Sequence, residues 1–503
     1  MTFRLPTLCA SVRGVRPEEA DHALLIVGAF TSEKKVALTP SAADVDVALQ
    51  GTITRHFERG SFTAALGTSL LLPESDTFPG GVAVMGLGEM EDFDAEAFKT
   101  LLEKAASTFG SWAQELAFTA DEWLPGDMEE KTAARLFAAT LLNGLSERVT
   151  LKTTDTPLMK TERILWVNDE IADDVATGLE EGRQCAEAMV TMRYLADLPG
   201  NVCTPGFLAD FVTEAAKEIK GLTVEIYDEK AIADFGMGAF LSVSQGSVVP
   251  PRFIVMRWQG GEKDAAPIAL VGKGITFDAG GICLKPRADM ADMIYDMSGA
   301  ASVIGTVLAA ARAGLKKNVL GVVAACENLP SGSAAKPGDV VASMAGKTIE
   351  ILNTDCEGRM VLADALCWTA KEKPAVMLDM ATLTGSVCVA LGTPYSGLFT
   401  TDTDLADELV ALGRETLDEV WPMPVGPAYK KLMRSNVADI ANQATTRNGG
   451  ASSAAAFLSV FAGDVRWAHL DIAATANVSG RDRRSTGRPA SLLTAFLLEH
   501  SVL

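Results

Sequence analysis

Short apolar runs alternate with helical periodicity in the first third of the chain. Three runs are typical of buried strands: His22–Gly28, Gly81–Gly88 and Arg163–Asn168. Two segments repeat apolar residues at helical intervals: Phe93–Phe109 and Lys131–Leu145. This pattern predicts an α/β domain over residues 1–165. The glycines of Gly86-Leu-Gly88 lack the third glycine of a nucleotide-binding turn, so we interpret them as a plain strand-to-helix turn.

A long helix and a turn-rich stretch separate this domain from the rest of the chain. Asp169–Leu195 is acidic, rich in alanine and free of proline, which favours a helix that joins two domains. Leu198–Gly206 contains two prolines and two glycines and is typical of a boundary. We therefore expect a linker helix over residues 166–196 and a second domain over residues 197–503.

Strand and helix patterns alternate throughout the second domain. The strand candidates are Thr223–Tyr227, Phe253–Trp258, Ile268–Val271, Val319–Ala325, Val376–Met380 and Ala468–Ile472. The clearest helices between them are Ala300–Ala313 and Arg359–Ala370. The fold class predicted is α/β: a small N-terminal α/β domain and a larger C-terminal domain whose mostly parallel central sheet is covered by helices. Ligands of such sheets bind at the carboxyl ends of the strands.

Composition limits the kind of protein this can be. The 503 residues are 48% hydrophobic and 22% charged, which suits two or three soluble domains. No run approaches 18 apolar residues and the start lacks a secretory pattern, so we expect a cytoplasmic protein without a membrane span. The eight cysteines lack metal-ligand spacing and are expected to be reduced. A net charge of −21 makes nucleic acid an unlikely partner.

The segment Asn353–Arg359, Asn-Thr-Asp-Cys-Glu-Gly-Arg, carries the most distinctive chemistry in the chain. Asp355 and Glu357 are two residues apart, so their side chains would project to the same side of an extended backbone. Gly358 permits a tight or left-handed turn, and Arg359 stands at the start of a predicted helix. Carboxylates beside helix-start amides and an arginine favour binding of cations together with a small anion.

Two upstream stretches add further charged groups. Val271–Pro286 contains Lys273, Asp278 and Lys285, and Tyr295–Ala301 contains Asp296. Four carboxylates in one pocket would repel one another unless cations lay among them, and two divalent ions would balance their charge. Only four histidines are present, and His469 lies in an apolar run as a core residue would, so a histidine-rich zinc site is not expected.

These three segments, in this order and spacing, resemble the signature of the leucine aminopeptidase family, the cytosolic di-metal exopeptidases. The resemblance covers roughly residues 165–503. Two departures are Cys356, where the family usually has alanine, and Met360, where it usually has leucine. The resemblance implies an N-terminal domain without catalytic residues, and a homohexamer whose active sites face a shared interior.

The resemblance also implies roles for individual residues. It makes Asp278, Asp355 and Glu357 ligands of two divalent ions, zinc or manganese, and it gives Lys273 and Asp296 to one ion only. An amine binds a metal only when neutral, so Lys273 would need a depressed pKa. The alternative for Lys273 is an ion pair with Asp278.

Two further residues are implied to be catalytic. Lys285 would remain charged and stabilise the oxygen of the tetrahedral intermediate. Arg359 resembles the residue that holds a bicarbonate ion, which shuttles a proton, and its alternative is a helix-start ion pair. A water or hydroxide between the ions would attack the peptide bond. One ion would hold the free α-amino group of the peptide substrate.

The resemblance places the pocket for the first side chain of the substrate at Met293, Thr382, Gly385, Ala473 and Ala476. Small and apolar residues there suit leucine or methionine side chains. Ordinary core packing is the alternative for these positions.

Two other functions would fit parts of the pattern. A phosphoesterase could use the same two ions, although such sites usually contribute histidines, which are scarce here. A scaffold or DNA-architectural protein with a vestigial site is the alternative outside enzymes. The intact set of seven charged site residues and the acidic chain favour a metal-dependent aminopeptidase that releases leucine and other, mainly apolar, N-terminal residues.

Overall fold

The computed structural model describes residues 5–12, 23–32, 35–126, 128–154, 159–168 and 172–501. The chain divides into two units, one up to Ala186 and one from Glu187 onward. His22, at the start of a predicted strand, and residues 169–171, at the start of the predicted linker helix, lie outside the described residues.

The first unit is built on one sheet with helices. Its strands are β1 (Thr7–Val12), β2 (Leu24–Ser32), β3 (Lys35–Leu38), β4 (Ser69–Leu72), β5 (Val82–Glu89), β6 (Glu115–Phe118) and β7 (Arg163–Asn168). Its helices are α1 (Pro40–Ala48), α2 (Thr52–Glu58), α3 (Ala95–Phe109) and α4 (Glu130–Leu145), with 3-10 turns at Met90–Asp92 and Ala120–Trp123. The strand order is β1-β7-β6-β2-β5-β4, and β3 pairs with β2. The predicted α/β organisation of this region is confirmed.

Helix α3 illustrates how the sequence pattern becomes structure. The side chain of Asp94 caps the helix by accepting the N–H of Ala97 at 2.9 Å. Phe98, Leu101 and Leu102 are fully buried, so the apolar positions at three- and four-residue spacing do face the core.

A long helix, α5 (Asp173–Asp197), spans the boundary between the two units. The linker helix was predicted over residues 166–196, and the division between the units falls inside α5, after Ala186. Its last residue lies just before the predicted turn-rich stretch, and α6 begins at Pro205 after an N-cap by Thr204.

In the described part of the second unit there are thirteen strands, many of them short. They are β8 (Leu222–Tyr227), β9 (Arg252–Gln259), β10 (Ile268–Asp278), β11 (Asn318–Asn328), β12 (Val340–Ala342), β13 (Thr348–Glu350), β14 (Val376–Ala381), β15 (Ser396–Phe399), β16 (Val420–Pro422), β17 (Ile440–Ala441), β18 (Trp467–Asp471), β19 (Asn477–Val478) and β20 (Arg484–Ser485). The helices are α6 (Pro205–Ala216), α7 (Glu229–Asp234), α8 (Gly238–Ser244), α9 (Arg287–Met290), α10 (Ser298–Arg312), α11 (Glu357–Lys371), α12 (Gly385–Leu391), α13 (Thr403–Thr416), α14 (Pro427–Lys430), α15 (Gly450–Leu458) and α16 (Ala490–Glu499). Further 3-10 turns lie at Ala291–Met297 and Lys431–Met433.

Eight of these strands form the central sheet, in the order β16-β15-β18-β14-β10-β11-β9-β8. The middle of the sheet is parallel, because β10 pairs in parallel with both β11 and β14, and β14 with β18. Antiparallel strands flank this parallel centre. Strands β11 and β14 are buried along their whole length, as expected for a parallel sheet with helices on both faces.

Successive residues of β10 show that both faces of the sheet are covered. Val271 belongs to a buried apolar cluster that includes Val361 and Leu362 of α11. A side chain on the next residue, Gly272, would collide with the backbone of α10 at Gly299 and Ala300. The predicted covered sheet is therefore confirmed.

Strands β10 and β11 extend further than their apolar runs predicted. Ile268–Val271 was too short a prediction for β10, because Gly272, Lys273 and Gly274 interrupt the apolar pattern. These residues stay in the sheet because they pair with Val323–Ala325 of β11, and after a register shift between Ile275 and Phe277 the pairing continues to Asp278 and Asn328. The extension places polar residues at the carboxyl end of both strands.

One helical segment among the described residues, Ala291–Arg312, is long and apolar enough to cross a membrane by length and composition. Most of that segment is buried inside the second unit, where α10 packs against β10, β11 and β14. It is a core helix of this unit.

Candidate active site

Four neighbouring parallel strands bring polar residues to one edge of the central sheet. Asp278, Asn328 and Asp471 are the last residues of β10, β11 and β18, and Thr382 follows the end of β14. Since these strands are parallel to one another, their carboxyl ends share one edge.

The segment Asn353–Arg359 reaches this edge as a turn that leads into α11. The expectation of an extended backbone here is wrong, because Asp355 lies in the turn and Glu357 is the first residue of α11. The side chain of Asn353 accepts the N–H of Asp355 at 2.9 Å, which fixes the turn locally. Carboxylate oxygens of Asp278, Asp355 and Glu357 consequently lie within 4.8 Å of one another.

Gly358 has a different function from the one expected. It lies inside the first turn of α11 with no left-handed conformation, so the expectation of a left-handed turn is wrong. A Cβ at this position would lie 2.6 Å from Cε and 2.7 Å from Nζ of Lys273. The glycine is therefore needed for the close approach of a lysine to the helix. At this site Gly280 and Gly281, just after β10, do have a positive φ, of 87° and 65°.

Lys273 lies at the centre of the charged cluster and is buried. Its Nζ lies 2.7 Å from Oδ1 of Asp296, 2.9 Å from Oε1 of Glu357 and 2.8 Å from the carbonyl oxygen of Thr382. Its ion-pair partners are thus Asp296 and Glu357 instead of Asp278. Burial opposes the charge of Lys273, but attraction to Asp296, Glu357 and Asp278 outweighs it and raises the pKa of the amine.

Lys285 faces the other carboxylates. Its Nζ lies 2.8 Å from Oδ2 of Asp278 and 2.7 Å from Oδ1 of Asp355. Burial opposes its charge, and the surrounding carboxylates outweigh that effect and raise its pKa. Lys285 is therefore a charged ammonium group at the cavity wall.

Three of the four carboxylates, Asp278, Asp296 and Asp355, lie where negative charge is unfavourable. Burial, with repulsion by Glu357, raises the pKa of Asp278 to about 6, and burial raises the pKa of Asp296 to about 8. Burial also raises the pKa of Asp355. Burial opposes the charge of Glu357 too, but Lys273 and Lys285 outweigh it and lower the pKa of that carboxyl.

Two buried carboxylate oxygens in this cluster, Oδ2 of Asp296 and Oε2 of Glu357, have no hydrogen-bond partner among the described residues. Leaving such oxygens unpaired is costly. Two lysines and Arg359 line the cavity beside the four carboxylates, so three positive charges do not balance the carboxylates when all four are ionised. Both observations fit divalent cations, for which carboxylates are suitable ligands.

Arg359 lies in the first turn of α11 and is buried. Its Nη1 donates to the carbonyl oxygen of Asn442 at 2.8 Å, and its Nε has no hydrogen-bond partner among the described residues. Arg359 lines the same cavity as the carboxylates. It could therefore hold a small anion beside the cation site.

The charged cluster opens into a cavity of about 530 Å³. The walls contain all seven predicted metal-binding and catalytic residues: Lys273, Asp278, Lys285, Asp296, Asp355, Glu357 and Arg359. They also contain four of the five predicted pocket residues: Met293, Thr382, Gly385 and Ala473. The fifth, Ala476, is fully buried and does not line the cavity, whereas its neighbour Asn477 does. The chain turns there, since the N–H of Ala476 bonds to the carbonyl oxygen of Ile472, and the alanine side chain packs inside.

The sequence pattern did not single out two asparagines that orient the cluster. Asn328 donates from Nδ2 to Oδ1 of Asp278 at 2.8 Å and to the carbonyl oxygen of Thr354 at 3.0 Å. Asn442 accepts the N–H of Leu352 at 2.8 Å. A signal for Asn328 was available, because polar residues directly follow the apolar run of β11 at the ligand-binding edge.

His469 is a core residue, as its apolar surroundings predicted. It is buried, and its Nδ1 lies 2.7 Å from Oδ1 of Asp379 on the neighbouring strand. Its Nε2 has no hydrogen-bond partner among the described residues.

A mostly parallel sheet that presents buried carboxylates and lysines at its carboxyl edge is the arrangement of an α/β metalloenzyme. Two family models match this chain. The cytosol aminopeptidase family, catalytic domain, matches residues 190–494, and the N-terminal domain of the same family matches residues 26–155. The chain belongs to the cytosol aminopeptidase family.

Relatives and solved structures agree with this assignment. The chain is 44% identical over 490 residues to a probable cytosol aminopeptidase of Ralstonia pickettii (strain 12J), covering 94% of this chain and 95% of that protein. It is 42% identical over 497 residues to one of Azoarcus sp. (strain BH72), covering 97% and 98%. A tomato leucine aminopeptidase mutant superimposes with a TM-score of 0.86 at 29% identity, covering 99% of this chain and 98% of that one. The bottromycin maturation enzyme BotP in complex with Mn gives 0.81 at 30% identity, covering 95% and 99%.

Family membership makes this protein a metal-dependent aminopeptidase, a hydrolase that removes N-terminal residues from peptides. The predicted resemblance to the leucine aminopeptidases is confirmed. The phosphoesterase and scaffold interpretations lose their support, since both domains match models of one peptidase family.

Proposed function

We propose that the cavity binds two divalent ions, zinc or manganese, through Asp278, Asp355 and Glu357, with Lys273 and Asp296 serving one ion only. The observation that carries this proposal is the set of three carboxylates whose oxygens lie within 4.8 Å of one another. Excess negative charge and the unpartnered oxygens of Asp296 and Glu357 add to it. The manganese in the BotP complex supports manganese as one choice.

Lys273 would have to lose its proton to act as a ligand. In the structure its ammonium group pairs with Asp296 and Glu357, and those partners favour the charged form. Divalent cations beside the same carboxylates would reverse this preference, so metal binding would release a proton from Lys273. The neutral amine is then a suitable ligand.

The bound ions would supply a water of lowered pKa and polarise the peptide carbonyl. Lys285 contributes a fixed positive charge at the cavity wall, 2.8 Å from Oδ2 of Asp278. An ammonium group there stabilises the negative oxygen that develops in the transition state. Arg359 offers its unpartnered Nε to a bicarbonate ion, which would carry a proton to the leaving amine.

The substrate would be a peptide with a free N-terminus. Met293, Thr382, Gly385 and Ala473 line the cavity beside the carboxylates, and we assign them to the pocket for the first side chain. Small and apolar walls favour leucine and similar residues. Ala476 would support this pocket from behind, since it is buried directly before the cavity-lining Asn477.

We place the protein in the cytoplasm as a homohexamer, with no membrane or nucleic-acid partner. The relatives are named cytosol aminopeptidases, which supports this location. The charge of −21 supports the absence of nucleic-acid binding.

The test compares hydrolysis of leucine anilide and its N-acetylated form before and after complete chelation, with metal quantified on the same samples. We expect two ions per subunit, activity on the free amine only, and loss of activity with the metals. Removal should also lower the melting temperature, because a ligand that binds only the folded state stabilises it. Peptidase activity in fully demetallated protein would refute the metal site. Rapid cleavage of the acetylated substrate would refute the role of the free amine.

A further inference from the structure

Two loops line the proposed side-chain pocket, and they follow neighbouring parallel strands. Thr382–Thr384 connects β14 to α12, which begins at Gly385, and Ala473 follows the end of β18. The pocket can have a defined width only if these two loops are held at a fixed separation. Asp471, the last residue of β18, is fully buried between them.

The carboxylate of Asp471 accepts hydrogen bonds from both loops. Its Oδ1 accepts the N–H groups of Leu383 at 3.1 Å, Thr384 at 3.4 Å and Ala473 at 3.3 Å. Its Oδ2 accepts the hydroxyl of Thr384 at 2.6 Å. A carboxylate has the acceptor capacity for all four bonds, which an apolar residue or a hydroxyl lacks.

The network continues into α12. The Oγ1 of Thr384 accepts the N–H of Val387 at 3.2 Å and so caps that helix, which begins at Gly385 in the cavity wall. Asp471 thereby orients the hydroxyl of Thr384, which caps the N-terminus of α12. Within this network only Ala473 was predicted from the sequence to contact substrate, and Asp471 and Thr384 were not.

We propose that Asp471 is the positioning residue that sets the width of the side-chain pocket, and through it the preference for the N-terminal residue of the substrate. This inference rests on the proposed function, because it accepts the assignment of Thr382, Gly385 and Ala473 to the pocket. Asp471 does not line the cavity and acts only through the two loops. Loss of its bonds would leave buried N–H groups unpaired and free the loops to move apart.

The measurement is the ratio of kcat/KM for leucine anilide to that for alanine anilide. A hydrophobic pocket discriminates by roughly 10- to 200-fold for a difference of one methylene, and leucine exceeds alanine by three carbons. In Asp471→Ala we expect this ratio to fall about tenfold, chiefly through a higher KM for the leucine substrate. In Asp471→Asn the side-chain oxygen can still accept the three N–H groups, so the ratio should stay within about threefold of the wild-type value.

Thr384→Val provides a second perturbation in case Asp471→Ala does not fold. It removes the hydroxyl that joins Asp471 to α12 while the three backbone bonds remain. We expect it to lower the ratio in the same direction by a smaller factor. An unchanged ratio in either folded variant would overturn the inference.

Asp364→Ala is the matched control. Asp364 is also a fully buried carboxylate that accepts backbone N–H groups, from Phe240 at 2.9 Å and Met344 at 2.8 Å. Unlike the partners of Asp471, neither Phe240 nor Met344 lines the cavity. The Asp364→Ala variant should be less stable than the wild type and should keep the wild-type ratio of kcat/KM for leucine anilide to that for alanine anilide. An equal fall of the ratio in Asp364→Ala would mean that general loosening is responsible, and would overturn the inference.

Ala473→Leu separates this inference from the proposed function. It fills the assigned pocket directly and should disfavour leucine substrates if the assignment is right. If the leucine-to-alanine ratio of kcat/KM changes in Ala473→Leu but not in Asp471→Ala, only the role of Asp471 is refuted. An unchanged ratio in both would sink the pocket assignment.

Discussion

Gly358→Ala tests the most closely packed contact of the active site. Alanine inside a helix is normally favoured over glycine by about 1 kcal/mol, so the substitution would stabilise an ordinary helix. Here the new methyl carbon would lie 2.6 Å from Cε and 2.8 Å from Cδ of Lys273. An ordinary carbon contact begins near 3.4 Å, so one partner has to move by about 1 Å.

Lys273 cannot move away at low cost, although a lysine side chain is flexible. Its Nζ is held by Asp296, Glu357 and the carbonyl oxygen of Thr382, at 2.7, 2.9 and 2.8 Å. Overpacking of this kind costs about 1–3 kcal/mol, which outweighs the gain in helix propensity. A displacement of about 1 Å in a catalytic constellation can lower the rate by about 10²-fold. We therefore expect a net loss of stability and a fall of about 10²-fold in kcat/KM.

The assay combines thermal unfolding, kinetics and metal content of Gly358→Ala, with Gly206→Ala as the control. Gly206 lies in the first turn of α6, and a Cβ there would meet its nearest neighbour, Oγ1 of Thr204, at an ordinary 3.8 Å. The control should be neutral or slightly more stable and fully active. Wild-type melting temperature and activity in Gly358→Ala would refute the argument that the glycine is required by Lys273.

Three further substitutions address the assigned roles, and a fourth tests the charge of the buried His469. Asp355→Ala should lower both metal content and activity. Lys285→Ala should keep its metals and lose about 10²- to 10³-fold in kcat. Full kcat in Lys285→Ala would mean that another donor stabilises the negative oxygen of the transition state. Arg359→Ala should retain its metals and recover part of its lost rate when bicarbonate is added, and a lack of recovery would contradict the anion role. Burial opposes a charged His469, but attraction to Asp379 outweighs burial and raises the pKa of the ring above 6.5. The ion pair of His469 with Asp379 therefore stabilises the fold fully below pH 6.5, and this stabilisation is lost as the pH rises through the pKa of His469 in the folded state. The stability deficit of His469→Gln in urea unfolding should therefore be larger at pH 6 than at pH 9, and a constant deficit would contradict a charged ring.

The sequence by itself determined the family and the order of the main elements. Alternating apolar strands and helices predicted the covered parallel sheet, because each such element must bury one face or both. The segment Asn353–Arg359 and the charged residues upstream were sufficient to identify the family, and the seven charged residues do line one cavity. Each of these features lies within a short stretch of the chain, so the residues of that stretch are enough to predict it.

Only the tertiary structure decided how those residues meet. Lys273 pairs with Asp296 and Glu357, which lie 23 and 84 residues further along the chain. Glycine is required at position 358 because the same lysine lies against it. Asp471 accepts the N–H groups of Leu383 and Thr384, which precede it in the chain by 88 and 87 residues. Such contacts follow from strand register and helix packing, and the chain carries no local periodicity that reports them. The turns at Asp355 and Ala476 are closed by local bonds, to Asn353 and Ile472, but residue spacing alone did not predict them.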